Sequence, residues 1–376
     1  MHTVTDQKSL FELARYFLTL GAIAFGGPPA HIAMMRVDLV DRRAWLSATA
    51  FADDLAMANL LPGPTSTELA IYIGYRLRGL AGALIVGICF ILPAFVMVLV
   101  LSLLYVRFGS LLVLDKILYG IKPVALALVM HGAVQLARPA MLSWREGLVL
   151  LLSIGAVLGV RVDIVLIFVA AGLVLLGLYR MPRAGPGLSG LVGMSMFAVG
   201  AAEVSTWAVF WTFLKIGALI YGGGFALIGI LQQELVLGTG WLTQQQLLDG
   251  IAIGQATPGP VFTTATFVGY VVAGLPGALV ATVGIFAPAF VFVVLEQRLL
   301  GWLKQSLAAK VFLRGVNMAV VGGIIVAAGQ MGRVALVDGL SVLIAMSALV
   351  GLFRFRIAAH WLVGVGVLVG VLRAYT

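Results

Sequence analysis

A Pro-Gly-Pro triplet stands twice inside long apolar runs, at Pro62-Gly63-Pro64 and at Pro258-Gly259-Pro260. Proline removes a backbone donor and clashes with the preceding turn, and glycine frees the chain between the two rings, so no continuous helix passes through. A break at membrane depth strands polar backbone groups, which is tolerated only where protein or a watery cavity receives them. Membrane depth is the right frame here. Of 376 residues 62% are hydrophobic and 10% charged, and mean hydropathy is +1.11. That leaves too little polar surface to cover a soluble domain of this size. The expectation is an all-α polytopic membrane protein. Interrupted segments at matching positions of a duplicated chain are the best sequence pointer to a transport site.

The net charge of +9 would suit a nucleic-acid binder, but the basic residues stand singly or in pairs at the ends of apolar runs, as topology signals do. No nucleic-acid partner is expected; the lipid bilayer is. Cys89 is the single cysteine, which excludes an intrachain disulfide and a multi-Cys metal site. The four histidines form no HExxH pair, and no glycine stretch matches a GxxxxGK[ST] phosphate loop. Neither metal nor cofactor is expected, and no large soluble segment is left to house an enzyme. Met1 to Leu10 is polar, so no signal peptide is expected. Trp144, Trp207 and Trp361 stand near span ends, as interfacial anchors do.

The apolar stretches form a series that restarts. Residues 16–35, 51–75, 80–105, 117–137, 147–160 and 162–179 are followed by a basic linker, Arg180 to Gly187. Six further stretches then run from Trp207 to Leu372. The restart repeats residues as well as hydropathy. Phe17, Gly21, Gly26 and Gly27 match Phe213, Gly217, Gly222 and Gly223. Asp53 matches Asp249, Gly74-Tyr75 matches Gly269-Tyr270, and Pro93-Ala94-Phe95 matches Pro288-Ala289-Phe290. The chain therefore divides into two homologous halves, 1–184 and 185–376.

Charge differs between the halves in an instructive way. Arg36, Arg42, Arg43, Arg76 and Arg78 flank the broken second segment of the first half, whereas Val271 and Ala273 replace the last two in the second. Positive-inside logic puts matching loops on opposite faces, which makes an inverted-topology repeat. The Pro-Gly-Pro segments then enter and leave by one face as re-entrant helices. That gives about ten full spans plus two re-entrant elements, with an external N-terminus. If the second segment spans instead, the repeats become parallel.

Phe25-Gly26-Gly27-Pro28-Pro29-Ala30-His31, Trp45-Leu46, Leu61-Pro62-Gly63-Pro64-Thr65, Gly79-Leu80-Ala81-Gly82 and Leu92-Pro93-Ala94-Phe95 resemble the chromate ion transporter (CHR) family. Tyr221-Gly222-Gly223-Gly224, Thr257-Pro258-Gly259-Pro260 and Gly315-Val316-Asn317-Met318 fit its C-terminal half, so the likeness is to the long, two-domain form. The resemblance implies a bacterial or archaeal inner-membrane carrier that exports chromate and confers resistance, with sulfate as the chemical analogue. The paired Pro28-Pro29 and the stretch Asp54, Ala58, Asn59 depart from the family pattern and bear on substrate rather than fold.

A tetrahedral dianion needs donors more than full cations. A helix start after a break offers free N–H groups and the positive dipole end. Pro62, Gly63, Pro64, Thr65 and Ser66 suit that role, as do Thr257, Pro258, Gly259 and Pro260, while Gly26, Gly27, Gly222 and Gly223 let backbone approach an anion. The plain alternative is that these residues permit close helix crossing. Lys122, whose repeat partner is Asn317, either neutralises part of the dianion or snorkels to the interface. His31, Arg36, Glu68, Arg76 and Arg78 are candidates for coupling or gating, against capping, salt bridges and topology. The expected function is export of chromate by a potential- or proton-coupled secondary carrier, alone or as a homodimer. A sulfate or other oxyanion transporter, an intramembrane enzyme and an anion channel are the alternatives.

Overall fold

The computed structural model describes residues 9–59, 62–108, 112–159, 164–180, 204–220, 224–299 and 306–375. The linker, the boundary at 184/185 and Gly222-Gly223 lie outside the described residues. All regular structure in the described residues is helical. The first half holds α1 (Leu10–Ile23), α2 (Gly27–Arg36), α3 (Ala48–Ala58), α4 (Thr65–Phe108), α5 (Leu112–Ala140), α6 (Trp144–Gly159) and α7 (Ile164–Arg180). The second holds α8 (Thr206–Leu219), α9 (Gly224–Leu231), α10 (Gln244–Ala256), α11 (Thr264–Leu299), α12 (Leu307–Ala335), α13 (Gly339–Arg354) and α14 (Ala359–Tyr375).

Each half begins with two hairpins. Gly26 and Gly27 take φ of 103° and 70°, left-handed values open to glycine, and the chain reverses there. A π-helical turn, Val37–Arg42, then brings Arg43 to 5.1 Å from the ring centre of Tyr16 in α1. Only an antiparallel return places residue 43 beside residue 16. The first apolar segment thus folds back instead of crossing, which sets the N-terminal end of α1 on the arginine-rich face. Loop charge sets the start of the chain on the face opposite Arg36, and the fold-back places the start of α1 on the same face instead. The second hairpin joins α3 to the start of α4 through Pro62-Gly63-Pro64, with Arg76 Nε 2.8 Å from Asp54 Oδ2. At Arg78-Gly79 the backbone leaves helical geometry (φ −143° and 61°), and residues 80–108 run back across.

The second half repeats this in detail. Lys215 in α8 pairs with Glu234 in the returning π-helical turn at 2.7 Å. The second kink, Ala273-Gly274, has φ of −144° and 63°, within a few degrees of the first. Its hairpin is tight: a Cβ on Gly250 would lie 2.5 Å from the Phe267 ring.

The halves are inverted. Arg314, near the start of α12, reaches Glu146 at the start of α6, which also accepts from Tyr179 at the end of α7. Gln330, near the other end of α12, meets Gln232 beside the mouth of the second half's hairpins. The first half therefore ends at one face and the hairpins of the second open at the other. The face carrying Arg36, Arg42, Arg43, Arg76, Arg78, Arg138, Arg145, Arg314, Arg354 and Arg356 is termed the basic face.

Helix partners are exchanged between halves. α5 packs on α13 and α14, and α12 packs on α6 and α7. Small residues set these contacts: Gly120 meets the backbone of Gly366, and a Cβ on Gly315 would lie 2.5 Å from the Ala171 carbonyl. Between apolar helices in lipid, such close approach supplies the packing energy. α4, α5, α11 and α12 are long and apolar enough to cross a membrane. Trp144, Trp207 and Trp361 are exposed, consistent with interfacial anchoring.

Candidate anion-binding site

The hairpin tips from opposite faces meet at the centre. Gly259 N–H donates to the Ala24 carbonyl at 2.8 Å, tying the second Pro-Gly-Pro turn to the end of α1. His31 Nε2 lies 3.0 Å from the same carbonyl and Nδ1 3.2 Å from Ser66 Oγ, with the ring fully buried. A carbonyl only accepts, so Nε2 carries the proton and Nδ1 takes one from the serine hydroxyl. His31 thus joins three of the four breaks. At Gly259 (φ 92°) a Cβ would lie 2.7 Å from Ala94 Cβ and 3.0 Å from the Gly21 carbonyl, so no larger residue fits.

Beside this knot lies a pocket of about 520 Å³, lined at its inner end by Phe25, Gly26, Gly27 and Val261. Its walls are α5, through Leu128, His131, Gln135 and Arg138, and the turn from α13 to α14, through Phe353, Arg356 and Ala359. Arg138 and Arg356 are exposed at its outer end on the basic face, and neither has a carboxylate within 4 Å among the described residues. Arg356 adopts φ 54°, a left-handed value that costs a non-glycine residue about 1 kcal/mol and marks a fixed position. Gln255, nine-tenths buried at the tip of α10, has an amide nitrogen with no hydrogen-bond partner among the described residues. The start of α2 adds the positive end of its dipole and the Gly27 N–H, since Pro28 and Pro29 carry no backbone donor. Two guanidiniums, an unfilled amide and a helix start converge on one cavity. That donor set suits a small oxyanion.

Several residues singled out in the sequence lie elsewhere. Gly26 and Gly27 line the pocket. Ser66 sits behind it on His31, and Glu68 packs against Gly63, which itself has φ 146°. Thr257 hydroxyl donates back to the Ile253 carbonyl, as a cap. Lys122 lies 3.2 Å from Asp249, and Tyr105 hydroxyl donates to that carboxylate at 3.0 Å, so its charge is compensated within a bridge between the halves. Asn317 Oδ1 is buried without a hydrogen-bond partner among the described residues. Arg36 is exposed, Arg76 is held by Asp54, and Arg78 marks the kink.

Among the described residues, the two-fold counterpart of the pocket wall is closely packed. Gln330 and Arg333 stand in α12 where Gln135 and Arg138 stand in α5. There α9 lies against α12, and a Cβ on Gly229 would sit 3.0 Å from the Gly323 backbone. Gln232 Nε2 donates to Gln330 Oε1 at 2.6 Å and to Gln244 Oε1 at 2.5 Å. Its counterpart in the first half is Arg36. Among the described residues, this wall is open in the first half and packed in the second.

The sequence profile of the chromate transporter family matches residues 11–177 and again 207–371. The chain belongs to the chromate transporter family. A chromate transport protein of Cupriavidus metallidurans is 34% identical over 366 residues, covering 93% of this chain and 89% of that one. A chromate transport protein of Pseudomonas aeruginosa is 32% identical over 339 residues, covering 85% and 80%. An uncharacterized transporter of Methanocaldococcus jannaschii is 28% identical over 335 residues, covering 84% and 83%. No solved structure matches the chain. The repeated match coincides with the two structural halves, and the chain is a multi-pass membrane transporter.

Proposed function

We propose that this chain exports chromate as a secondary carrier of the bacterial inner membrane, loading the anion through the pocket between Gly26-Gly27, Arg138 and Arg356. The observation that carries the reading is the convergence of unpaired donors on a cavity whose two arginines stand exposed on the basic face. Positive-inside logic makes that face cytoplasmic. Moving one charge through 100 mV is worth about 2.3 kcal/mol, so a dianion leaving an inside-negative cell gains about twice that. Export then runs on the membrane potential. The related chromate transport proteins support chromate as cargo.

Chromate flux into everted vesicles under a lumen-positive potential tests the reading. A hydrogen bond to a charged group is worth about 1.5–3 kcal/mol. Arg138→Gln and Arg356→Gln should therefore each raise the half-saturating chromate concentration about tenfold or more. Flux unchanged in the double variant, at equal expression, would sink the pocket assignment. Sulfate is also a tetrahedral dianion, and the site has no group that reads metal against sulfur. Sulfate competing at equal concentration would recast the carrier as a general oxyanion exporter.

A further inference from the structure

A second cavity lies between the arms of the first hairpin, apart from the chromate pocket. It holds about 460 Å³ and opens toward the basic face, where Arg15 from α1 and Arg43 beyond the π-helical turn stand at its mouth. Leu20, Ile23 and Met34 line it further in. At 1.5 Å per helical residue, Ile23 lies about 12 Å deeper than Arg15. Phe11, Leu18 and Ile23 are 75%, 43% and 55% exposed, so the apolar flank of α1 faces lipid alongside the opening.

Among the described residues, the carboxylates at the mouth are engaged by groups other than its two arginines. Glu12 closes the capping box at Ser9, and Asp38 pairs with Arg42 at 3.1 Å and accepts from Tyr16 hydroxyl at 3.5 Å. Arg15 and Arg43 have no carboxylate within 4 Å among the described residues; Arg43 rests on the rings of Tyr16 and Trp45. The second half fills the same gap from within. Lys215 and Glu234, which correspond to Thr19 and Asp38, are paired there at 2.7 Å, and Trp211 and Thr239 replace Arg15 and Arg43.

We infer that the first hairpin binds one anionic phospholipid, its phosphate held by Arg15 and Arg43 and an acyl chain lying along Leu20, Ile23 and Met34. Two guanidiniums at an interface give phosphate a forked, charge-assisted site, and basic pockets on this face of membrane proteins favour anionic headgroups. An apolar depth open to the bilayer distinguishes a lipid from free phosphate. The lipid then fills a gap that the other half closes with an ion pair.

Native mass spectrometry of the full chain in detergent, titrated with phosphatidylglycerol, phosphatidylcholine or inorganic phosphate, tests this. Wild type should retain phosphatidylglycerol about tenfold better than phosphatidylcholine, and Arg15→Gln/Arg43→Gln should lose that preference. Thr19→Lys is the sharper variant, since it installs the lysine that faces the acidic partner in the second half. It adds positive charge near the mouth, yet by pairing with Asp38 it should close the cavity and lower phosphatidylglycerol retention severalfold. Retention that is unchanged or increased in Thr19→Lys would overturn the site in favour of diffuse surface attraction. Inorganic phosphate displacing phosphatidylglycerol from wild type would overturn the lipid as occupant. If the double arginine variant does not fold, Thr19→Lys decides alone, with its melting temperature as the check on folding.

Discussion

His31 holds the centre by two hydrogen bonds of opposite sense, giving a proton to Ala24 and taking one from Ser66. Asparagine can keep one of these but cannot span both, so His31→Asn should lower the melting temperature and chromate flux together. His31→Ala leaves the buried Ser66 hydroxyl without its partner, at about 1–3 kcal/mol, while the Ala24 carbonyl keeps the Gly259 N–H. Flux at wild-type level in His31→Ala would show that the knot is dispensable. Asp338 offers a pH test outside the spans. Hydrogen bonds from Tyr119, from the Ser341 backbone and from Arg373 hold its carboxyl well below the usual 3.8. A depressed folded value stabilises at pH above 3.8 and that contribution fades as pH falls toward the folded value. The stability gap between wild type and Asp338→Asn should therefore be constant from neutral pH to about 4 and shrink below it. A gap that widens on acidification would contradict the assignment. At this scale the sequence was only partly legible. Gly26, Gly27 and the Pro-Gly-Pro turns stood out because backbone chemistry is written in residue type. Arg138, Arg356 and Gln255 did not, because a pocket arginine and a topology arginine look alike until the fold brings them together. Lys122, unmatched by its repeat partner Asn317, read either as a substrate cation or as a snorkelling lysine, because its partner Asp249 lies in the other half.

Among the elements, the kinked helices show why spans were harder to count than to detect. A hairpin of two short apolar helices has the hydropathy of one long span. What betrays it is glycine in two different roles. Gly79 supplies a left-handed φ of 61°, and a Cβ there would meet no atom within 4 Å, whereas a Cβ on Gly74 would lie 2.5 Å from the Gly82 carbonyl. Gly79→Ala should then cost only the left-handed penalty of about 1–2 kcal/mol, and Gly79→Asn less. Gly74→Ala forces the two arms apart and should cost clearly more, visible as a larger fall in melting temperature. Equal losses would mean that the turn, not the close approach, holds the hairpin. The repeat of this pattern at Gly269, Gly274 and Gly277 was readable in sequence, so the duplication was as well, while its inversion rested on loop charge, which left parallel repeats open. The fold-back of α1 on α2 was not, since Tyr16 and Arg43 meet only once the chain has turned.

For the whole molecule, the carrier proposed above would use the open pocket and its closely packed counterpart as two states of a single device. Each half carries the same α5-type wall with Gln and Arg three residues apart, yet Gln135 is exposed and Gln330 is tied to Gln232. An exchange of these two conformations between halves would close the basic face and open the other, which is the motion expected of inverted-repeat carriers. The seal is then a modest energy term that can be edited. Gln330→Leu removes the hydrogen bond from Gln232 and leaves that buried donor with Gln244 alone. At about 1 kcal/mol per net hydrogen bond, the outward-open share should rise about fivefold. A cysteine placed at Arg333, in a Cys89→Ser background, reports the change through a membrane-impermeant thiol reagent added from the face opposite the arginines. Labelling should be slow in the parent and severalfold faster with Gln330→Leu, while a cysteine placed at Gln135 should label more slowly from the basic face in the same background. A rise at 333 without the matching fall at 135 would mean local loosening of α9 on α12 and would refute a coupled exchange, because one population cannot be open to both faces.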